Sequence, residues 1–378
     1  MIHSVDLLQE FMTRDQIQKE ALDTILKHKR CTAALSMGVG KTLIGLQYLD
    51  SIKNDTLYPY KVLIVAPKVS IYKSWMDDAV KFKLEHVLSS ATFSTYISLS
   101  KHDPANYDIV ILDECHSLLY THQKFLTQYK GRILGLTGTP PRYKKSEKHV
   151  MVASYCPVVY TYTTDTAVED NILNDYRIFV HKLPLSTSSD IPVNMKGRNF
   201  FTSENQSYAY WTKRLATAPS KKMEQICAVM RMRVLMDFKT KERYAEYLLK
   251  GIKDKCIIFC NTQEQSDRLC PHSYHSGNQY SDLHLAAFKK GTIKQLSCVA
   301  QLSEGVTIPD LKCGIIMHAF GNERKSNQRI GRMLRLNPDE TAVVHILCYS
   351  GTKDEDWVEE ALKDLDPTKI TYHTIGVS

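Results

Sequence analysis

No apolar run in this chain approaches the ~18 residues a membrane helix needs. Its first residues, Met1-Ile-His-Ser-Val-Asp, carry no basic-then-apolar leader. These absences lead us to expect a cytoplasmic protein with no membrane partner. None of the ten cysteines forms a C-x-x-C pair. Cys256, Cys260 and Cys298 sit inside apolar strand-like runs and read as small buried thiols in a reducing compartment. Cys270, His272 and His275 lie close together without paired spacing, which reads as a loop rather than a zinc site. No exact internal repeat is present. What remains is ordinary for a globular protein: 378 residues, 43% apolar and 24% charged, enough for two domains with full cores. The net charge of +8 favours a polyanionic partner.

The chemistry begins at Leu35-Ser-Met-Gly-Val-Gly-Lys-Thr42, which follows an apolar run and precedes an apolar helical pattern. Strand, glycine turn and helix form the context of a phosphate-binding loop. Gly38 and Gly40 let backbone N–H groups turn toward phosphate oxygens. Lys41 supplies a cation to the β- and γ-phosphates, and Thr42 a hydroxyl ligand to Mg²⁺. Leu35 departs from the pattern, which wants glycine there. A glycine turn that merely joins strand to helix is the plainer alternative.

Upstream, Ile17, Ala21, Leu22, Ile25 and Leu26 recur at helical spacing, and Gln16 and Gln18 open that helix. Downstream, Lys61 to Pro67 is a buried strand, followed by a helix carrying Ile71, Trp75, Ala79 and Val80. A strand is expected over Ala91 to Ile97. Tyr107-Asp-Ile-Val-Ile-Leu-Asp-Glu-Cys-His116 then places apolar residues just ahead of two carboxylates. This reads as a central parallel strand whose C-terminal end faces a ligand. Asp113 is positioned to hold Mg²⁺ through water, and Glu114 to orient or deprotonate an attacking water. Gly131 to Pro140 is a further strand ending in Thr137 and Thr139, which are relay candidates or turn residues.

The polar stretch Tyr162 to Asp170 suits a domain crossing, and residues 186 to 199 read as a loop. Residues 200 to 252 look largely helical and mix Phe200, Phe201, Tyr208, Tyr210 and Trp211 with Lys213, Arg214, Lys221, Lys222, Arg231 and Arg233. Such a surface either grips or separates nucleic-acid strands, or buries its rings and solvates its charges. Further buried strands end in Asn261-Thr262, His275-Ser-Gly277 and Ser303-Glu-Gly305. On a helix, Gln328, Arg332 and Arg335 fall on one face, a tool for gripping an anion.

Taken in order, these residues resemble a superfamily 2 helicase core. The carriers are Gln18, Met-Gly-Val-Gly-Lys-Thr at 37–42, Val65-Ala-Pro67, Asp-Glu-Cys-His at 113–116 and Leu-Thr-Gly-Thr-Pro at 136–140. Ile-Phe-Cys-Asn-Thr at 258–262, Leu-Ser-Glu-Gly-Val at 302–306 and Gln-Arg-Ile-Gly-Arg-Met-Leu-Arg at 328–335 complete the set. The style is similar to the SNF2, type I restriction and phage UvsW-like groups, and the short length suits a phage-encoded enzyme.

The resemblance implies an α/β fold of two RecA-like domains, 1–165 and 166–378, with ATP in the cleft between them. It implies ATP contacts at Gln18 (Gln16 is the runner-up), Met37, Gly38, Val39, Gly40, Lys41, Thr42 and Gly305, and Mg²⁺ at Thr42 and Asp113. Catalysis is implied for Lys41, Asp113, Glu114, Gln328, Arg332 and Arg335, the arginines acting on the γ-phosphate. Coupling is implied for His116, Thr137 and Thr139. Strand contacts are implied for Lys68, Thr95, Tyr96, Asn261, Thr262, His275 and Ser303. Thr307 stands where many relatives have aspartate. The expected activity is that of a monomeric ATP-dependent DNA helicase or translocase. An RNA helicase and an ATP-switched binding or annealing factor are the alternatives.

Overall fold

Strands of five or six residues carry the first half of the chain, the central four buried along nearly their whole length. In the computed structural model, residues 12–36, 38–53, 60–141, 143–173, 175–195, 197–299, 308–319, 340–363 and 365–376 are described. They divide into two compact units, Met1–Asn174 and Asp175–Ser378.

The first unit runs α1 (Arg14–Leu26), β1 (Arg30–Leu35), α2 (Lys41–Lys53), β2 (Val62–Ala66), α3 (Ser70–Phe82), β3 (Ala91–Thr95) and β4 (Ile109–Asp113). It continues through α4 (Gln123–Gln128), β5 (Arg132–Thr137), α5 (Glu147–Tyr155), β6 (Val158–Tyr162) and α6 (Thr164–Glu169). The sheet order is β3-β2-β4-β5-β1-β6, with every pair parallel. Val62–Ala66 and Ile109–Asp113 are buried throughout, as apolar runs covered by helices on both faces must be. Register decides where the strands end: Asp113 pairs with Leu136, and Thr137 with Ala34. The carboxyl ends of β4, β5 and β1 therefore form one edge.

The stretch around Asp170 lies on this first unit. Asp170 accepts hydrogen bonds from Met12 N at 3.3 Å and Tyr162 Oη at 2.6 Å, and Ala167 is fully buried. The expected strand to Ile97 stops at Thr95, where Tyr96 opens a 3₁₀ turn.

The second unit begins with β7 (Tyr176–Leu183). Where a loop was expected, the chain forms an antiparallel hairpin, β8 (Ile191–Met195) and β9 (Arg198–Thr202). Ile191, Val193 and Met195 alternate with polar or proline positions, a period-2 signal hidden by the Ser/Asn/Gly content. Gly197, at φ +79°, makes the turn. Then follow α7 (Glu204–Ala216), α8 (Lys221–Asp237) and α9 (Lys239–Gly251), so the helical expectation for the segment begins three residues into β9.

The remaining elements are β10 (Cys256–Cys260), α10 (Gln263–Leu269), β11 (Ser273–Tyr274), α11 (Ser281–Lys290), β12 (Gln295–Val299), β13 (Cys313–Ile316), β14 (Ala342–Tyr349), α12 (Lys353–Leu362) and β15 (Ile370–Thr374). Their parallel order is β11-β12-β10-β13-β14-β7-β15. Lys241 and Asp354 form an ion pair inside this unit, both fully buried. Among the described residues no helix is long and apolar enough to cross a membrane.

Candidate active site

Leu35 ends β1 fully buried, so the residue that broke the glycine pattern belongs to the strand core. The chain then turns through Gly38 and Gly40, at φ +91° and +99°, a region that glycine enters without strain. Val39 between them buries its side chain completely, pinning the loop from below. Gln18 pins it from the side: its Nε2 donates to the Val39 carbonyl at 2.6 Å. A Cβ at position 40 would lie 2.6 Å from that same nitrogen, so a side chain there would push the Gln18 amide aside. The Gln18 donor expected to contact ATP is thus engaged with the loop, while Gln16 is spent on capping α1 by accepting from Thr13 N.

Lys41 and Thr42 open α2. Lys41 Nζ donates to the Leu35 carbonyl at 3.4 Å, a long bond that a phosphate oxygen would outcompete. Two strands away along the shared edge, about 10 Å by sheet spacing, Asp113 ends β4. Its Oδ2 accepts from Trp75 Nε1 at 2.9 Å, and its backbone carbonyl accepts from Tyr96 Oη at 2.9 Å. Burial and the neighbouring Glu114 carboxylate push Asp113 up to about 6, against the pull of Trp75 and Lys41.

Glu114 sits at φ +50°, left-handed backbone that side chains rarely adopt. Its Oε2 is buried, accepts no aligned hydrogen bond and lies 3.2 Å from His116 Nδ1. His116 Nδ1 is in turn 2.8 Å from Thr137 Oγ1, which accepts from Thr139 N at 3.1 Å. One line of contacts therefore runs from Glu114 through His116 to Thr137 and Thr139. The Thr139 hydroxyl is buried without a partner.

The donor chemistry of this edge suits a magnesium ion. Hard oxygen donors are what such an ion takes, and Thr42 and Asp113 supply them. Two adjacent carboxylates, one with a buried oxygen that accepts no aligned hydrogen bond among the described residues, favour a cation beside them. The residues fit.

The strand-contact candidates fall on both units. Lys68 is exposed just after β2, and Thr95 is half-buried at the end of β3. The Tyr96 ring is buried in the core and supports Asp113 from beneath, so it is not presented to a strand. In the second unit, Thr262 caps α10 by accepting from Gln265 N at 3.1 Å. Both side-chain polar atoms of Asn261, just after β10, are buried without a hydrogen bond among the described residues. His275 is buried, with Nε2 2.8 Å from Asp267 Oδ1. Met37, Ser303, Gly305, Gln328, Arg332 and Arg335 lie outside the described residues. Sequence reasoning missed the contact of Trp75 with Asp113. The available signal was Gly45, a glycine inside a helix with no turn to make.

Residues 11–142 match the family model described as type III restriction enzyme, res subunit, and residues 239–337 match the helicase conserved C-terminal domain. The chain is 25% identical over 391 residues to the DNA 3'-5' translocase XPB2 of Sulfurisphaera tokodaii, covering 93% of this chain and 86% of that protein. It is 21% identical over 416 residues to the SWI/SNF-related matrix-associated actin-dependent regulator of chromatin subfamily A-like protein 1 of Xenopus laevis, covering 90% of this chain and 42% of that protein. In fold it is similar to the ATP-dependent type ISP restriction-modification enzyme LlaBIII, solved bound to DNA. That likeness has a TM-score of 0.64 at 15% identity and covers 100% of this chain and 32% of the other. With a phosphate loop, an aspartate–glutamate strand end and the two family segments in this order, the chain has a superfamily 2 helicase core.

Proposed function

We propose that the protein is a DNA translocase or helicase that couples ATP hydrolysis to movement on duplex or branched DNA. The observation that carries this is the single carboxyl edge on which Lys41, Thr42, Asp113 and Glu114 converge, joined to Thr137 through His116. In this reading the loop amides and Lys41 hold the phosphates. Mg²⁺, held by the Thr42 hydroxyl and through water by Asp113, would neutralise charge on the β- and γ-phosphates. Glu114 orients a water in line with the γ-phosphate and accepts its proton at Oε2. His116, 3.2 Å from that oxygen, carries the change in charge toward Thr137 and Thr139. In the same reading Gln328, Arg332 and Arg335 act on the γ-phosphate.

Lys68 and Thr95 on one unit, and Asn261 and Thr262 on the other, are the proposed strand contacts. The orphaned Asn261 amide supports that assignment. Contacts go to phosphate and sugar, which makes movement tolerant of sequence. The test is ATP turnover with single-stranded DNA, duplex DNA, forked DNA and RNA compared side by side, using Lys41→Ala as the control. Strongest stimulation by a DNA substrate is expected. Stimulation by RNA alone would replace this reading with an RNA helicase. Hydrolysis without strand displacement on any substrate would leave a translocase or an ATP-switched binding factor.

A further inference from the structure

We infer that Trp75 is a positioning residue of the ATPase site, its indole N–H setting the orientation in which the Asp113 carboxylate meets magnesium. The inference rests on the proposed role of Asp113 as a metal-holding carboxylate. Trp75 comes from α3, an element with no expected part in nucleotide chemistry. Its Nε1 donates to Asp113 Oδ2 at 2.9 Å, with Trp75 fully buried and Asp113 nearly so.

An aspartate carboxylate turns easily about its last bond, and its two oxygens are otherwise equivalent. A fixed N–H removes that equivalence, committing Oδ2 to the indole. Indole nitrogen only donates, so it favours an acceptor at that spot and never competes with the carboxylate as one.

The ring is itself immobilised. A Cβ on Gly45 of α2 would lie 2.5 Å from Trp75 Cη2 and 3.2 Å from Cζ3, so the backbone of α2 runs flush against the indole. That helix starts with Lys41 and Thr42. One side chain thus gauges the distance between the helix bearing the phosphate and metal ligands and the strand bearing the carboxylate. Tyr96 fixes the Asp113 main chain by its hydrogen bond to the carbonyl, leaving the side-chain rotation as the freedom that Trp75 removes.

The test is Trp75→Phe, which keeps an apolar ring beside Gly45 and loses the N–H. Equilibrium binding of a fluorescent ATP analogue is measured in EDTA and across a Mg²⁺ titration. The expected result is unchanged binding in EDTA and a Mg²⁺ half-saturation raised about 10-fold, the lower range for loss of a group that orients a metal ligand. An unchanged Mg²⁺ profile would overturn the inference, and so would equal losses with and without Mg²⁺, which would mean packing alone. If the phenylalanine protein fails to fold by circular dichroism, the benzothiophene isostere of Trp75 removes the N–H at constant shape, with the same two outcomes. Wild-type nucleotide binding that ignores Mg²⁺ would overturn the assignment of Asp113 itself, and the inference with it.

Discussion

The Gln18 amide donates to the Val39 carbonyl close beside Gly40. Removing that donor strands a buried carbonyl, a loss of about 1–3 kcal/mol. Gln18→Ala is therefore expected to lower the melting temperature and raise KM for ATP together, whereas a side chain that only touched adenine would raise KM alone. Gly40→Ala is expected to be worse. It meets Gln18 Nε2 at 2.6 Å and must hold φ +99°, so nucleotide binding should be lost. Lys41→Ala should abolish turnover, and Arg335→Ala should remove turnover while sparing ATP binding. Equilibrium binding alongside phosphate release separates the two, and normal turnover by either would sink the proposed mechanism. Residue types at these positions were legible in the sequence because phosphate chemistry restricts them. The Trp75–Asp113 bond was not, because the partners are 38 positions apart and only the packing of α3 brings them together.

Elements were legible where burial is symmetric. Continuous apolar runs such as Val62–Ala66 read as central parallel strands, and they are. The β8–β9 hairpin escaped notice because neither strand has a buried face to impose a pattern strong enough to read. Phe200 and Phe201 stand 43% and 66% exposed there, and only Cys227 and Leu235 of α8 are buried. Of the two readings offered for this segment, solvated charge with buried rings fails for these phenylalanines. Phe200→Ala/Phe201→Ala is expected to leave DNA-free ATP turnover unchanged and reduce strand displacement, measured on a forked duplex.

The strands of the second unit hold another device. His181 of β7, His345 of β14 and His373 of β15 lie together, with Tyr244 Oη of α9 2.9 Å from His181 Nδ1 and His345 Nδ1 3.0 Å from His181 Nε2. Burial first, then the neighbouring imidazoles, lower His181 to about 4. A folded-state value below the unfolded one means that the unfolded chain binds the extra proton between pH ~6.5 and ~4. Stability from this group is whole above that window and lost as pH falls through it, by up to about 3 kcal/mol. Urea melts at pH 7 and pH 5 should show the drop, and His181→Gln should flatten it.

At the scale of the molecule, charge is unevenly spread. Residues 191–237 hold eight Lys or Arg and three Asp or Glu, so this short stretch contributes +5 of the net +8. Lys213, Arg214, Lys221 and Lys222 are exposed on it. Neutralising these four to alanine is expected to weaken DNA binding and flatten its salt dependence by about 0.7–0.9 in log–log slope per lost phosphate contact. An unchanged slope would assign the charge to solubility. The shared edge of the first sheet was legible only through the order of motifs, since no local pattern says that Ala34 and Thr137 lie side by side. The register of Asp113 on Leu136 and Thr137 on Ala34 is a property of the assembled sheet.

Glu114 has a consequence for any selection that sees folding but not catalysis. Its φ of +50° costs about 1–3 kcal/mol for a residue with an ordinary side chain, and asparagine and glycine occupy that region far more readily. Glu114→Asn should therefore melt at a higher temperature than the parent while hydrolysing nothing. A library screened for expression or heat resistance would drift toward asparagine or glycine at this position, and the most durable clones would be dead enzymes. Thermal melts paired with phosphate release on Glu114→Asn and Glu114→Gln would expose the trade, because glutamine loses the carboxylate and keeps the strain.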